Sequence, residues 1–187
     1  MVRKQDIRKE FLKKRNSLSE EKVEKYSKLI TDKVLALKQY READEILIYA
    51  SYQKEVSTYE IITEALQARK TVYCPKVLGA GIMEFYQITS LEEIVPGYKN
   101  IPEPQRLTHP YESSNLANAL MIMPLVAFDT QNNRLGYGGG FYDRYLQRFS
   151  FVKRIALGFE CQKYLPGIPI EETDQKPEMI ITEFTTI

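Results

Sequence analysis

The run Arg134-Leu135-Gly136-Tyr137-Gly138-Gly139-Gly140-Phe141-Tyr142-Asp143 combines the groups needed to handle a phosphate. Its four glycines carry no Cβ, so backbone N–H groups there can approach and wrap phosphate oxygens. Arg134 would add a fixed positive charge, and a helix beginning near Phe141 would add its positive end. Asp143 sits at that same helix terminus, where a carboxylate repels a phosphate unless something lies between them. Mg²⁺ resolves the conflict, because it binds one or two carboxylates together with phosphate oxygens and retained waters. The alternative is that Asp143 stabilises the helix start or pairs with Arg134. The run matches neither standard nucleotide motif. Phe141 occupies the last glycine position of a G-x-G-x-x-G pattern, and no Walker A lysine follows the glycines.

Aromatic residues surround this loop. Phe141 and Tyr145 stand at helical spacing and read as core, whereas Tyr137, among the glycines, could stack on a flat ligand. His109 is the only histidine. A zinc cluster is therefore excluded, a serine or cysteine nucleophile would depend on that single base, and His109 itself reads as a loop residue. Cys74 and Cys161 lie far apart in apolar, strand-like settings and read as buried thiols of a reducing compartment.

The elements that must position the loop follow an α/β pattern. From Lys4 to Asn16, Ile7, Phe11 and Leu12 recur among charged residues, which predicts a helix with a narrow apolar stripe and a basic outer face. A second helix follows Ser19, a suitable cap, with Val23, Tyr26, Ile30, Val34 and Leu37 at helical spacing, so the two segments read as a helical hairpin. Glu45–Ala50 reads as a buried strand. Ser57-Thr-Tyr-Glu60 is a capping-box pattern opening a helix through Leu66, and Thr71–Cys74 is a strand stopped by Pro75. Further strands are expected at 82–88, 119–123, 154–158 and 179–182, with a short helical turn after the Ser90 capping box and a helix over 141–149. The stretch from about Pro96 to Leu116 reads as loop. Strands alternating with helices predict one three-layer α/β/α domain, residues 1–187, with a mostly parallel sheet and an N-terminal helical pair.

Composition narrows the function classes. The 187 residues are 43% hydrophobic and 27% charged, ordinary globular usage, so neither disorder nor a fibrous repeat is indicated. Twenty-six basic against 25 acidic residues leave a net charge of +1, no global field to draw in nucleic acid or an anionic membrane. The N-terminus lacks the apolar core of a secretory signal and no apolar run approaches a membrane span. A cytoplasmic, monomeric protein is the expectation.

The glycine run, preceded by Met123-Pro-Leu-Val-Ala-Phe-Asp129, closely resembles the signature of the 5-formyltetrahydrofolate cyclo-ligase family. The resemblance continues through Lys4-x-x-x-Arg8, Tyr49-Ala-Ser-Tyr-Gln-Lys-Glu-Val56, Ile101-Pro-Glu-Pro104 and Pro169 to Asp174. It implies that Lys4, Arg8 and the segment from Arg134 through Tyr142 surround ATP. It implies that Ala50, Tyr52 and Glu55, with Tyr137, Gly138, Gly139, Gly140 and Phe141, border the folate, and that Asp143 and Asp174 are linked to Mg²⁺. The implied reaction is ATP-dependent closure of 5-formyltetrahydrofolate to 5,10-methenyltetrahydrofolate. Three positions depart from the family pattern: Phe141 where tyrosine is common, Asn100 where glycine often stands, and Gly139 where some members carry lysine. Taken without the resemblance, the loop also suits a sugar-phosphate isomerase or a non-catalytic nucleotide- or folate-binding module.

Overall fold

A computed structural model describes residues 2–79, 81–112, 118–150 and 152–187. Its frame is a six-stranded sheet in the order β10-β9-β6-β1-β2-β3. The strands are β1 (Glu45–Ile48), β2 (Thr71–Gly79), β3 (Ile82–Ile88), β6 (Ala119–Pro124), β9 (Lys153–Leu157) and β10 (Met179–Ile181). All neighbours pair in parallel except β2 with β3. The central strands are apolar on both faces, and alternate residues feed two different cores, as a sheet covered on both sides requires. Ile46 and Ile48 pack beneath α2 (Glu20–Ala36), α3 (Lys38–Glu42) and α4 (Tyr59–Gln67), whereas Leu47 packs on the opposite face with Tyr145 and Leu146 of α5 (Phe141–Arg148). The three-layer, mostly parallel α/β architecture expected from the sequence is present.

Ser19 caps α2, accepting from the Lys22 N–H at 3.3 Å. The two N-terminal helices pack on different parts of the fold. α2 packs on α4 and β10, whereas Ile7 and Phe11 of α1 (Lys4–Asn16) pack against Val126, Ala127, Leu135 and Ile168 beyond the sheet's carboxyl edge.

Three local expectations are corrected. β2 runs through Pro75 to Gly79, because its pairing with β1 ends at Tyr73 and Pro75 faces β3 alone, so the missing N–H interrupts no inner ladder. The Ser57–Glu60 capping box does not form. Thr58 instead donates from its hydroxyl to the Tyr49 carbonyl at 2.6 Å and accepts from the Ser51 N–H at 3.1 Å, tying α4 to the exit of β1. The segment read as loop after Pro96 contains β5 (Pro102–Pro104), which pairs with β4 (Ile94–Pro96); residues 113–117 of that segment lie outside the described residues. The turn at Leu91–Glu93 with its Ser90 capping box is as expected. Cys74 is buried, Cys161 is half-buried and both are free. His109 lies exposed in a bend. No helix among the described residues is long and apolar enough to cross a membrane.

Candidate active site

The chain leaves β1 to one side, toward β2, and returns on the other side through β6. Such a switch in strand order opens a crevice beyond the carboxyl ends of the strands. Here it opens into a cleft of about 770 Å³, within the size range of small-molecule sites. Every site residue that the resemblance implies lines it: Lys4, Arg8, Ala50, Tyr52, Glu55, the whole run from Arg134 to Asp143, and Asp174.

One end of the cleft gathers the charged groups. Arg134 lies on β8 (Arg134–Leu135), which pairs back onto β7 (Ala127–Phe128). The connecting turn is organised by buried Asp129, whose carboxylate accepts from the N–H groups of Gln131 and Asn133, the Asn133 amide and the Ile168 N–H, all between 2.8 and 3.0 Å. This turn fixes the Arg134 side chain, 3% exposed, so that it donates to Oδ1 of Asp143 at 3.0 Å. The alternative pairing considered for Asp143 is thus realised. Its Oδ1 also accepts from the Gln175 N–H at 3.0 Å, which draws the segment carrying Asp174 to the same place.

Across from these acids stands the first turn of α1. Lys4 Nζ lies 2.6 Å from Asp174 and 3.1 Å from Glu171, and one turn on, Arg8 donates to the Gly136 carbonyl at 2.8 Å. Glycine is required at two points of the loop. Gly138 has φ +95° and a Cβ there would meet the Arg8 guanidinium at 3.2 Å, and Gly140, the residue capping α5, has φ +63°. Both conformations are costly for other residues.

The other end of the cleft contains the buried acid Glu55, with Tyr49, Ala50 and Tyr52 also lining it. Glu55, 9% exposed, accepts from the Tyr52 N–H at 2.8 Å and from the Tyr137 hydroxyl at 2.5 Å. Burial raises its pKa above the ordinary value, opposed by those two hydrogen bonds and by the charge of Arg15. The Tyr137 ring is half exposed to the cleft while its hydroxyl reaches inward to Glu55 and Arg15. Burial and the Glu55 charge push that phenol up, so it stays protonated. Phe141, placed with the core from its spacing, also lines the cleft, whereas Tyr145 is buried as expected.

Several contributors were not legible in the sequence. Arg144 donates to the carbonyls of Gly81 and Gly139, clamping the glycine loop to the β2–β3 turn; its position beside Asp143 was the available signal. The β4–β5 hairpin supplies a wall of Tyr98, Lys99 and Ile101. That wall is held by buried Glu103, which accepts from Lys76 at 2.8 Å and from the Tyr98 N–H at 3.2 Å. Arg15, behind Tyr137, carried no signal beyond its place on a basic helix.

The donor set can be tested against a divalent cation. Among the described residues no group of three metal-ligating side chains occurs, so the protein alone builds no closed cage. Asp143 and Asp174 nevertheless both line the cleft, their protein donors engaging Oδ1 of the first and Oδ2 of the second, so each has a second hard oxygen of the kind Mg²⁺ uses when phosphate oxygens and waters complete its shell. The residues fit that ion as a site shared with a phosphate.

Comparison with known proteins agrees with this geometry. The family model described as the 5-formyltetrahydrofolate cyclo-ligase family matches residues 1–183. The chain is 32% identical to a 5-formyltetrahydrofolate cyclo-ligase of Mus musculus, over 96% of this chain and 93% of that protein. It is 33% identical to one of Haemophilus influenzae, over 92% and 93% respectively. Among solved structures it is similar to the 5,10-methenyltetrahydrofolate synthetase of Aquifex aeolicus, with a TM-score of 0.83 at 27% identity, covering 98% of this chain and 91% of that one. A match across the whole chain, with the signature residues converging in one cleft, establishes that this chain belongs to the 5-formyltetrahydrofolate cyclo-ligase family of ligases.

Proposed function

We propose that the cleft binds ATP at its charged end and 5-formyltetrahydrofolate at the end containing Glu55, and that the protein closes the latter to 5,10-methenyltetrahydrofolate with release of ADP and phosphate. The observation that supports this is the convergence, in one cleft, of a phosphate-type loop flanked by Lys4, Arg8 and Arg134 with a buried acceptor carboxylate suited to N–H donors of a pterin ring.

The chemical obstacle is an amide carbon with a poor leaving group. Transfer of the γ-phosphoryl group to the formyl oxygen gives an iminium phosphate and releases ADP. The N10 nitrogen then attacks the activated carbon, its proton is given up, and phosphate departs with the former formyl oxygen. None of these steps needs a nucleophilic side chain, and the demands on the protein are positioning and charge stabilisation. The glycine-loop N–H groups and the three cations meet the equatorial phosphate charge, while Glu55, Ala50 and Tyr52 set the pterin ring beside the loop. Asp143 and Asp174 would hold Mg²⁺, which when bound neutralises charge on the β- and γ-phosphates.

The test is incubation of purified protein with 5-formyltetrahydrofolate, ATP and Mg²⁺, following methenyl absorbance and ADP together. The expected result is one ADP per methenyl product. ADP without product, or product without nucleotide, would sink the reading.

A further inference from the structure

The mechanism above leaves one buried cation unused. Arg15, in the last turn of α1, is 2% exposed and does not line the cleft. Among the described residues its Nη1 donates to the Tyr137 hydroxyl at 2.5 Å, and its Nε is buried without a partner. A guanidinium taken out of water without a carboxylate of its own is costly, and an apolar side chain of similar length would fill the same volume. Its charge therefore calls for a reason.

The hydrogen-bond inventory supplies one. A guanidinium can only donate, and a phenol has a single proton to give. With Arg15 occupying a lone pair of the Tyr137 oxygen, the Tyr137 proton must point onward to Oε1 of Glu55, 2.5 Å away. The Tyr52 N–H holds Oε2 at 2.8 Å. Each carboxylate oxygen keeps further acceptor capacity, and Glu55 lines the cleft. The other groups facing Glu55 are Tyr49 after β1, Tyr59 on α4 and Tyr142 on α5, all phenols kept protonated by burial. Lys54, its chain neighbour, points away to the carbonyls of Asn16 and Leu18. Among the described residues Arg15 is the cation whose charge acts on Glu55.

We propose that Arg15 is a positioning residue for the folate end of the cleft, acting through Tyr137 to hold Glu55 as an oriented, acceptor-only carboxylate. This rests on the functional reading above and extends it. The relay runs from a helix through a glycine-loop residue to the β1 exit segment, so one side chain of α1 orders the folate end while Lys4 and Arg8 of the same helix serve the phosphate end.

The experiment compares Arg15→Met, Arg15→Lys and Tyr137→Phe with the wild type, measuring KM for each substrate, kcat, and the pH profile of kcat/KM for 5-formyltetrahydrofolate. Arg15→Met is expected to raise the folate KM by about tenfold or more, the scale of losing a charge-assisted hydrogen bond. The ATP KM should stay within about twofold and the acid limb of the folate profile should move to higher pH. Arg15→Lys should recover part of the loss, and Arg15→Met combined with Glu55→Gln should be no worse than Glu55→Gln alone. A wild-type folate KM and pH profile in Arg15→Met, or equal losses for both substrates, would overturn the proposal. If Arg15→Met does not fold, Tyr137→Phe breaks the same relay, and an unchanged folate KM there would overturn it equally. A wild type that makes no methenyl product would overturn the functional reading itself, an outcome distinct from active variants that match an active wild type.

Discussion

Arg134 and Asp143 are joined across the base of the glycine loop, the guanidinium donating to Oδ1 at 3.0 Å. The pair joins a two-residue strand to the first turn of α5, and the acid of the pair also receives the Gln175 N–H. One carboxylate therefore organises three segments at the charged end of the cleft. Its structural work consists of accepting hydrogen bonds, whereas its proposed catalytic work needs its charge.

That separation makes Asp143→Asn informative. The amide oxygen can still accept from Arg134 and Gln175, so the fold should be kept, but the buried Arg134 guanidinium loses its carboxylate, and the thermal midpoint should drop by an amount corresponding to about 1–3 kcal/mol. ADP formation should fall roughly 100-fold or more, the scale seen when an electrostatic stabiliser of a transition state is removed. Wild-type turnover in this variant would assign Asp143 to holding Arg134 and the Gln175 segment alone.

Gly138→Ala tests the loop. With φ +95° and the Arg8 guanidinium at 3.2 Å from the added carbon, the backbone must shift or Arg8 must leave the Gly136 carbonyl. A strain of about 1–2 kcal/mol is expected from the conformation alone, and displacement of the N–H groups should lower kcat/KM for ATP by about tenfold or more. Steady-state kinetics with ATP varied at saturating folate would measure it.

Asp129 is the group on which the position of Arg134 depends. Burial opposes its ionisation, but four hydrogen bonds outweigh it and hold its pKa below the ordinary 3.8. A depressed acid contributes stability that is fully present above its unfolded value and is lost as pH falls through the folded one. Asp129→Asn should cost about 1–3 kcal/mol at neutral pH, and the gap from the wild type should narrow below about pH 3.8. Denaturant unfolding at pH 7 and pH 3 would check both.

Glu55 behaves in the opposite sense. Burial raises its pKa above 4.5, so the folded state holds that proton more tightly than the unfolded chain does. Its contribution to folding stability therefore falls as pH rises from 4.5 through the folded value. Substrate recognition by the anion should improve over the same window. In Glu55→Gln the acid limb of kcat/KM for 5-formyltetrahydrofolate should disappear, and the folate KM should rise about tenfold or more while ADP-forming competence with saturating folate is less affected. Identical acid limbs in variant and wild type would assign that limb to another group.

How much of this was readable beforehand depended on how local each signal was. The limits of β3 at Ile82 and Ile88, the Ser19 cap and the helix after Gly140 follow from patterns a few residues long. The continuation of β2 past Pro75 does not, because a proline stops a strand only where a neighbour needs its N–H, and that depends on β1 ending at Ile48. The Ser57–Glu60 pattern predicts a capping box because the sequence cannot show that the Tyr49 carbonyl lies within reach of Thr58. Arg15 was invisible for the same reason, being one of several cations on a basic helix until Tyr137 is brought to it from 122 residues away.

The sequence by itself determined the chemistry available, namely a glycine loop, an arginine and an acid at one helix start, with Lys4 and Arg8 one turn apart on another. Those are local properties of residue type and spacing. Only the tertiary structure decided that β1 and β6 lie side by side, so that Glu55 and the glycine loop leave the sheet into one cleft. It likewise decided which of the many charged groups are buried together. Burial and partner choice are long-range quantities, fixed by strand order and by the turns that hold each side chain, and these set which donors a carboxylate meets and how readily it keeps its charge.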